Sequence, residues 1–276
     1  MFKQRLASGD ALLGTFLKTP SPILVEVLAT AGLDCLCLDA EHAPFDRAAI
    51  DLCAMAARAA DFPLLVRPAS NAPEQILNAL DVGADGVLVP HIRSVAEARA
   101  LAAAASYRPG GRGYAGSSRA AGYGLSSMAD NRARSADRTT VIAQIEDREA
   151  LDEIEAIAAE PGIDALFIGR IDLTVSLDAA SPDDPAVLDA IERILTACRA
   201  AKRPIGMFVP RDGDVAGWRA KGVTLFLQGS DHAASAPVRA HRAPPADSKN
   251  PAKRLIDPIG GRAERVLVRR SCLSGR

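Results

Sequence analysis

The chain has 276 residues, 48% of them hydrophobic, a formal net charge of −1 and five cysteines. Near-neutrality gives no electrostatic reason to expect nucleic acid or a charged membrane as partner, and no stretch approaches the roughly 20 uninterrupted apolar residues of a membrane span. The amino terminus lacks the apolar run of a secretion signal. An odd cysteine count without metal-type C-x-x-C spacing predicts reduced thiols and a cytoplasmic protein, with Cys35 and Cys37 as small buried hydrophobes.

In chain order, 12–17 predicts a first strand, closed by a loop over 18–22. Ser21 and Pro22 start a helix over 23–31, which Gly32 ends. The next strand, from Cys35, runs through Leu38 into Asp39, Glu41 and His42, and Pro44 stops it. A helix over 47–60, a strand over 63–67 ending on Arg67, and a helix over 73–82 closed by Gly83 follow. Then come a strand over 86–90 and an alanine-rich helix over 95–105. The segment 107–140 is dense in glycine, serine and arginine and too long for an ordinary connector, which predicts a functional or mobile loop. Beyond it lie strands over 141–146, 165–168, 204–209 and 223–227, with helices over 148–159, 185–201 and 213–221.

Eight strands alternating with helices predict a parallel (β/α)8 TIM barrel. A doubly wound open sheet is less favoured, because no glycine fingerprint follows the first strand. The last helix of such a barrel does not follow. Gly229-Ser-Asp-His232 begins like a capped helix, but Pro237 interrupts it, and from Val238 onward ten Lys or Arg face three acidic residues. The chain therefore divides into a barrel over 1–236 and a divergent basic, Pro/Arg-rich tail over 237–276, read as poorly ordered. A shifted reading frame after Ala236 would produce the same abrupt change.

Polar residues at the carboxyl ends of barrel strands converge on one mouth. Here they are Asp39, Glu41 and His42 after strand two, Arg67 after strand three, His91 after strand four, Gln144 and Glu146 on strand five, Asp172 after strand six and Gln228 after strand eight. Asp39 is near enough in sequence to orient the His42 imidazole. Gln144 and Glu146 lie two apart and can share the interior face. An interior Glu is costly without a cation, so Glu146 and Asp172 suggest a two-carboxylate site for Mg²⁺ or Mn²⁺ rather than zinc. Such a cation can polarise a carbonyl, Arg67 can bind an oxyanion or carboxylate, and His42 is the natural proton-transfer group. No lysine ends a predicted strand, which counts against Schiff-base chemistry. The alternative is a set of strand-end salt bridges such as Arg67 to Glu146.

These residues in this order resemble the HpcH/HpaI aldolase family, metal-dependent pyruvate aldolases related to citrate lyase β-subunits. The resemblance spans about 12–231. It is carried by Asp39-Ala-Glu-His42, Val66-Arg67-Pro68, Val87-Leu-Val-Pro90, Gly110-Gly-Arg-Gly113, Gln144-Ile-Glu146 and Ile168-Gly-Arg-Ile-Asp-Leu-Thr174. It implies a homohexamer, a dimer of trimers, and reversible aldol cleavage of a 4-hydroxy-2-oxo acid to pyruvate and an aldehyde. It further implies that Glu146 and Asp172 bind the divalent cation (Mg²⁺ or Mn²⁺, with Co²⁺ a further option), that Arg67 stabilises the pyruvate enolate, and that Gln144 contacts substrate. Backbone amides near Ile171 and Asp172 would hold the substrate carboxylate, and His42, paired with Asp39, would act on the 4-hydroxyl. Glu41 would support the loop.

Two positions depart from the family pattern. Arg170 stands where members often have proline, and either faces solvent or recognises an acidic aldehyde. The basic tail replaces the final helix that packs at the family's subunit contacts. Two other functions stay open: an acyl-CoA lyase of the citrate or malyl-CoA lyase type, with Arg112, Arg119 and Arg170 in a basic groove, and an inactive barrel serving as a binding module.

Overall fold

The alternation of strands and helices closes on itself. In the computed structural model, which describes residues 1–210 and 213–232, eight strands pair in parallel in sequence order and the last returns to the first. They are β1 Leu12–Leu17, β2 Cys35–Asp39, β3 Leu64–Arg67, β4 Gly86–Val89, β5 Thr140–Ile145, β6 Ala165–Ile168, β7 Ile205–Val209 and β8 Leu225–Ser230. The helices are α1 Phe2–Ala7, α2 Pro22–Ala29, α3 Arg47–Ala59, α4 Pro73–Asp81, α5 Val95–Ala104, α6 Met128–Arg138, α7 Ile154–Ala159, α8 Arg170–Ser176, α9 Pro185–Ala201 and α10 Gly213–Ala220. This is the (β/α)8 barrel that the sequence predicts. No described helix is long and apolar enough to cross a membrane.

Side-chain alternation along each strand separates two cores. In β2, Cys35 and Cys37 point into the barrel, while Leu36 and Leu38 face the surrounding helices. The inner core also holds Phe16, Leu65, Leu88, Ile142 and Phe167, and Phe2 and Leu6 of α1 join it. Both thiols are fully buried and burial pushes their pKa up, so they serve as the packing residues expected of them. Gly206 on β7 admits the Phe167 ring: a Cβ there would sit 2.5 Å from Cδ2.

The opposite end of the barrel carries a repeated device. Before β2, β4, β6 and β8 stand Gly32, Gly83, Gly162 and Gly222, all with φ between 77° and 102°, a range that favours glycine. Two residues after each of the first three comes Asp34, Asp85 or Asp164. Each accepts the backbone N–H of Leu13, Leu64 or Val141 through its carboxylate, at 2.8–3.0 Å. Each also donates its own N–H to the same residue's carbonyl, at 2.7–2.8 Å. Thr224 keeps the backbone half of the pattern, donating to Ile205 at 2.9 Å. Every odd strand is thus bracketed at its start by the loop entering the next strand. Arg5 reaches Asp34 at 2.8 Å and Lys3 reaches Asp164 at 3.1 Å, so α1 ties two of the brackets together.

Helix starts follow local chemistry. Ser21, Asp46 and Ser94 accept the N–H of Leu24, Ala49 and Glu97, caps worth about 1 kcal/mol each. The segment 107–140 differs from expectation, since α6 occupies its second half. Its first half is fastened by arginines: Arg112 to Asp81, and Arg119 to Asp51 at 2.8 Å. The division at 236 and the ordering of the tail lie outside the described residues.

Candidate active site at the carboxyl end of the barrel

Asp39 and Arg67 end adjacent strands and are register partners. Asp39 is fully buried, and one of its oxygens accepts both Nε–H (3.1 Å) and Nη2–H (2.9 Å) of Arg67. The same oxygen takes the backbone N–H of His42 at 3.1 Å, while Lys18 Nζ lies 3.2 Å from the other. Burial by itself would raise the Asp39 pKa, but Arg67, the His42 amide and Lys18 hold it below the usual carboxylate range. The guanidinium also lies 4.6 Å above the Phe16 ring and 3.3 Å from Glu41 Oε2, so packing and charge fix its direction together.

Glu146, the residue after β5, is 2% exposed. Its Oε1 accepts the His91 backbone N–H at 2.9 Å, and its Oε2 accepts the Gln144 amide. Gly169 at the end of β6 provides the room. A Cβ there would stand 2.5 Å from Glu146 Oε2 and 2.9 Å from Gln144 Nε2. Glu41 and His91 stand beside Glu146, and one ligand atom from each of Glu41, His91 and Glu146 lies within 4.8 Å of the others. Asp172, in the first turn of α8, is half-buried and near enough to raise the Glu146 pKa.

The electrostatics leave this pocket short of positive charge. Burial pushes Glu41 up to about 7, with Glu146 adding to the shift against Arg67. Burial likewise raises Glu146, with Asp172 contributing. Glu41 Oε2 and Gln144 Oε1 are buried without a hydrogen-bond partner. Crowded carboxylates with unfilled acceptors are the donor set that a hard divalent cation takes, so the residues present fit one.

The structure corrects several expectations. Asp39 does not orient the His42 imidazole: it holds the loop through the His42 backbone amide, and the ring Nε2 lies 3.7 Å from Glu41 Oε2. Asp39 gives one oxygen to Arg67 and the His42 backbone amide, and its other oxygen faces Lys18. Glu41 is more than loop support, since it faces both Arg67 and His91. Arg67 pairs with Asp39 and Glu41, so the suggested bridge to Glu146 is not among its ion pairs. A lysine does end a strand, because Lys18 follows β1 directly; its ammonium serves Asp39.

The three arginines suggested for a nucleotide groove are committed elsewhere: Arg112 to Asp81, Arg119 to Asp51 and Arg170 to Asp183. Arg170 also bonds the Pro182 carbonyl and lies 5.5 Å from the Trp218 ring, so it fastens a turn rather than facing solvent. Ile171 is 56% exposed beside the mouth, and the first turn of α8 has no side-chain cap. Sequence reasoning noted His91 at a strand end but gave it no role. Its one further signal, the sequence Glu146-Asp147 at the next strand end, becomes legible only once β4 and β5 are known to be neighbours.

Residues 12–236 match the family model of HpcH/HpaI aldolase/citrate lyase. The chain is similar to a 5-keto-4-deoxy-D-glucarate aldolase of Shigella dysenteriae serotype 1 (strain Sd197), at 35% identity over 83% of this chain and 90% of that protein. A pyruvate aldolase of Rhizobium etli (strain ATCC 51251) is also 35% identical, over 83% and 91% of the two chains. Among solved structures, an HpcH/HpaI aldolase/citrate lyase family protein from Burkholderia cenocepacia J2315 superposes with a TM-score of 0.78. It is 34% identical, over 83% of this chain and 92% of that one. The chain belongs to the HpcH/HpaI aldolase/citrate lyase family, and the protein is a lyase.

Proposed function

We propose that the protein is an aldehyde-lyase that reversibly cleaves a 4-hydroxy-2-oxo acid to pyruvate and an aldehyde, with a divalent cation held by Glu146 and Asp172. The observation that carries this reading is the buried Glu146, crowded by Glu41 and Asp172 and faced by a buried Gln144 oxygen without a partner. When bound, a divalent cation supplies Lewis-acid stabilisation for negative charge developing on a keto oxygen.

The chain's own residues then divide the remaining work. Arg67, rigidly aimed by Asp39 and Phe16, donates to the same developing oxyanion. Gln144 orients the substrate from the floor. The first-turn amides at Ile171 and Asp172 receive its carboxylate. His42 stands 51% exposed at the rim, and burial and Arg67 lower its pKa, which favours the neutral imidazole that a base needs. It takes the proton of the 4-hydroxyl, the C3–C4 bond breaks, the electron pair passes to the oxo-acid fragment, and the aldehyde leaves. Protonation at C3 then gives pyruvate.

The engaged state of Arg112, Arg119 and Arg170 disfavours the acyl-CoA alternative. The test is pyruvate release from a panel of 4-hydroxy-2-oxo acids, before and after chelation, with Mg²⁺ or Mn²⁺ added back. Release that chelation abolishes and metal restores is expected. Turnover unchanged by thorough chelation would sink the metal assignment, and no turnover of any panel member by the loaded protein would sink the aldolase reading.

A further inference from the structure

Lys18 and Asp231 have no part in the mechanism above, yet both are built into the mouth. Near its end, β8 carries Gly229 at φ 60°, a left-handed value that favours glycine. Its pairing with β1 slips register between Gly14 and Phe16, so that Ser230 stands opposite Phe16. Directly beyond, Asp231 meets the loop that follows β1. Its Oδ1 accepts the Lys18 backbone N–H at 2.6 Å, and its Oδ2 accepts that of Thr19 at 3.0 Å. Both oxygens are thus engaged with backbone more than 200 residues away in the chain, and the side chain is 12% exposed. Behind it, Thr15 Oγ1 donates to the Gln228 carbonyl at 2.8 Å. The end of β8 therefore grips this loop through its main chain.

What the grip places is the Lys18 ammonium. It lies 3.2 Å from Asp39 Oδ2, a buried oxygen that accepts no hydrogen bond among the described residues. The other oxygen, Oδ1, holds Arg67 and the His42 amide. Arg67 also faces Glu41 Oε2 at 3.3 Å. Without Lys18, one guanidinium would stand against two carboxylates that have little contact with solvent. A cation balanced fully by its own holders has little field left for a developing oxyanion. A second cation on the far oxygen of Asp39 restores that field, and Lys18 Nζ stands there.

We propose that Lys18 is a positioning residue for Arg67, neutralising Asp39 from its far oxygen so that the guanidinium keeps its charge for substrate, and that Asp231 sets Lys18 in place through the two loop amides. This rests on the reading of Arg67 as the oxyanion donor and gives it two supports that act through it.

The test uses the full-length protein. Hydrogen exchange over a peptide spanning 17–23 reads the first link. Exchange there should be faster in Asp231→Ala, with Asp231→Asn, which keeps one acceptor oxygen, falling between. Steady-state pyruvate release reads the second link. Lys18→Met should lower kcat about 10-fold with KM little changed, short of the about 10²–10³-fold of losing the donor itself. Lys18→Arg should restore most of it. Asp231→Ala should lower kcat alone and add nothing to Lys18→Met, because both act through one ammonium. Thr19→Ala removes the exposed contact with His232 but no backbone amide, and should leave kcat unchanged. Unchanged kcat in Lys18→Met, additive losses in the double variant, unaltered exchange in Asp231→Ala, or an equal loss in Thr19→Ala would overturn the proposal.

Calorimetric titration with oxalate, a planar dianion of the enolate's shape, repeats the comparison without turnover. Oxalate binding weakened in Lys18→Met and recovered in Lys18→Arg, in a protein that cleaves no 4-hydroxy-2-oxo acid, would overturn the aldolase reading and keep this one. Oxalate affinity unchanged in Lys18→Met would overturn this one alone. An unmutated protein that neither binds oxalate nor cleaves any panel member would overturn both.

Discussion

Arg67 points two N–H groups at one oxygen of Asp39, at 3.1 and 2.9 Å, in a place where that carboxylate has no solvent exposure. Removing one partner of a buried pair strands the other. Asp39→Ala is expected to lower the unfolding free energy by about 3–5 kcal/mol, read by urea denaturation. Arg67→Lys keeps the charge but loses the fork, and should lower kcat for pyruvate release about 10²–10³-fold, as loss of an oxyanion donor does.

Gly169 is needed for space rather than for backbone freedom, because an added Cβ meets Glu146 and Gln144 at once. Gly169→Ala should cost about 1–3 kcal/mol by overpacking. Mn²⁺ titration should show weakened binding, because the displaced group is the carboxylate itself. Unchanged metal affinity would mean that Glu146 is not where the cation sits.

Glu146 exemplifies stability surrendered for function. Burial and neighbouring charge disfavour its ionised form, so Glu146→Gln should stabilise the metal-free protein, by about 2–4 °C for each kcal/mol recovered. The same change should remove the thermal shift that Mn²⁺ gives the unmutated protein. Calorimetric melting with and without Mn²⁺ checks both halves.

His42→Ala should bind metal as before and lose about 10²–10⁴-fold in aldol cleavage, the usual contribution of a general base. Metal titration and pyruvate release on one preparation separate the two. Because the Asp39 carboxylate meets only the His42 backbone amide, His42→Ala should leave the Asp39–Arg67 pair and the melting temperature nearly unchanged.

Asp85 gives the pH prediction. Burial raises its pKa, with the Leu64 amide and Arg138 opposing, so the folded state holds its proton to higher pH than the unfolded chain. Its contribution is therefore most favourable below the unfolded value of about 3.9 and is lost as pH rises through the folded value. Asp85→Asn keeps an oxygen for the Leu64 N–H but cannot ionise. It should be more stable than the unmutated protein at pH 7, with the advantage shrinking toward pH 4, as measured by urea unfolding at both.

Strand positions were legible because apolar runs such as 64–67 and 86–89 are short, β-branched or leucine-rich and bounded by turn residues. Helix α6 was not, because among its residues only Asn131 is buried and no apolar stripe exists to read. Its one local signal was Ser127, which caps through Asp130. Helix α8 is seven residues long and rich in branched side chains, too short for periodicity. At the site, residue types and strand ends could be read, whereas partners could not. Nothing local in Asp39-Ala-Glu-His42 says that Arg67, 28 residues on, pairs with the Asp39 carboxylate, or that His42 bonds it through its backbone amide.

The Gly-x-Asp brackets before β2, β4 and β6, with their Thr224 counterpart before β8, carry a consequence for how the barrel tolerates change. Each latch joins one odd strand to the even strand that follows, so the ring is four self-fastened quarters joined edge to edge. Fastening at the floor and chemistry at the rim fall on opposite ends of the same strands. The rim loops can therefore exchange side chains without unlatching any quarter, which leaves substrate choice free to drift on a frame that stays shut.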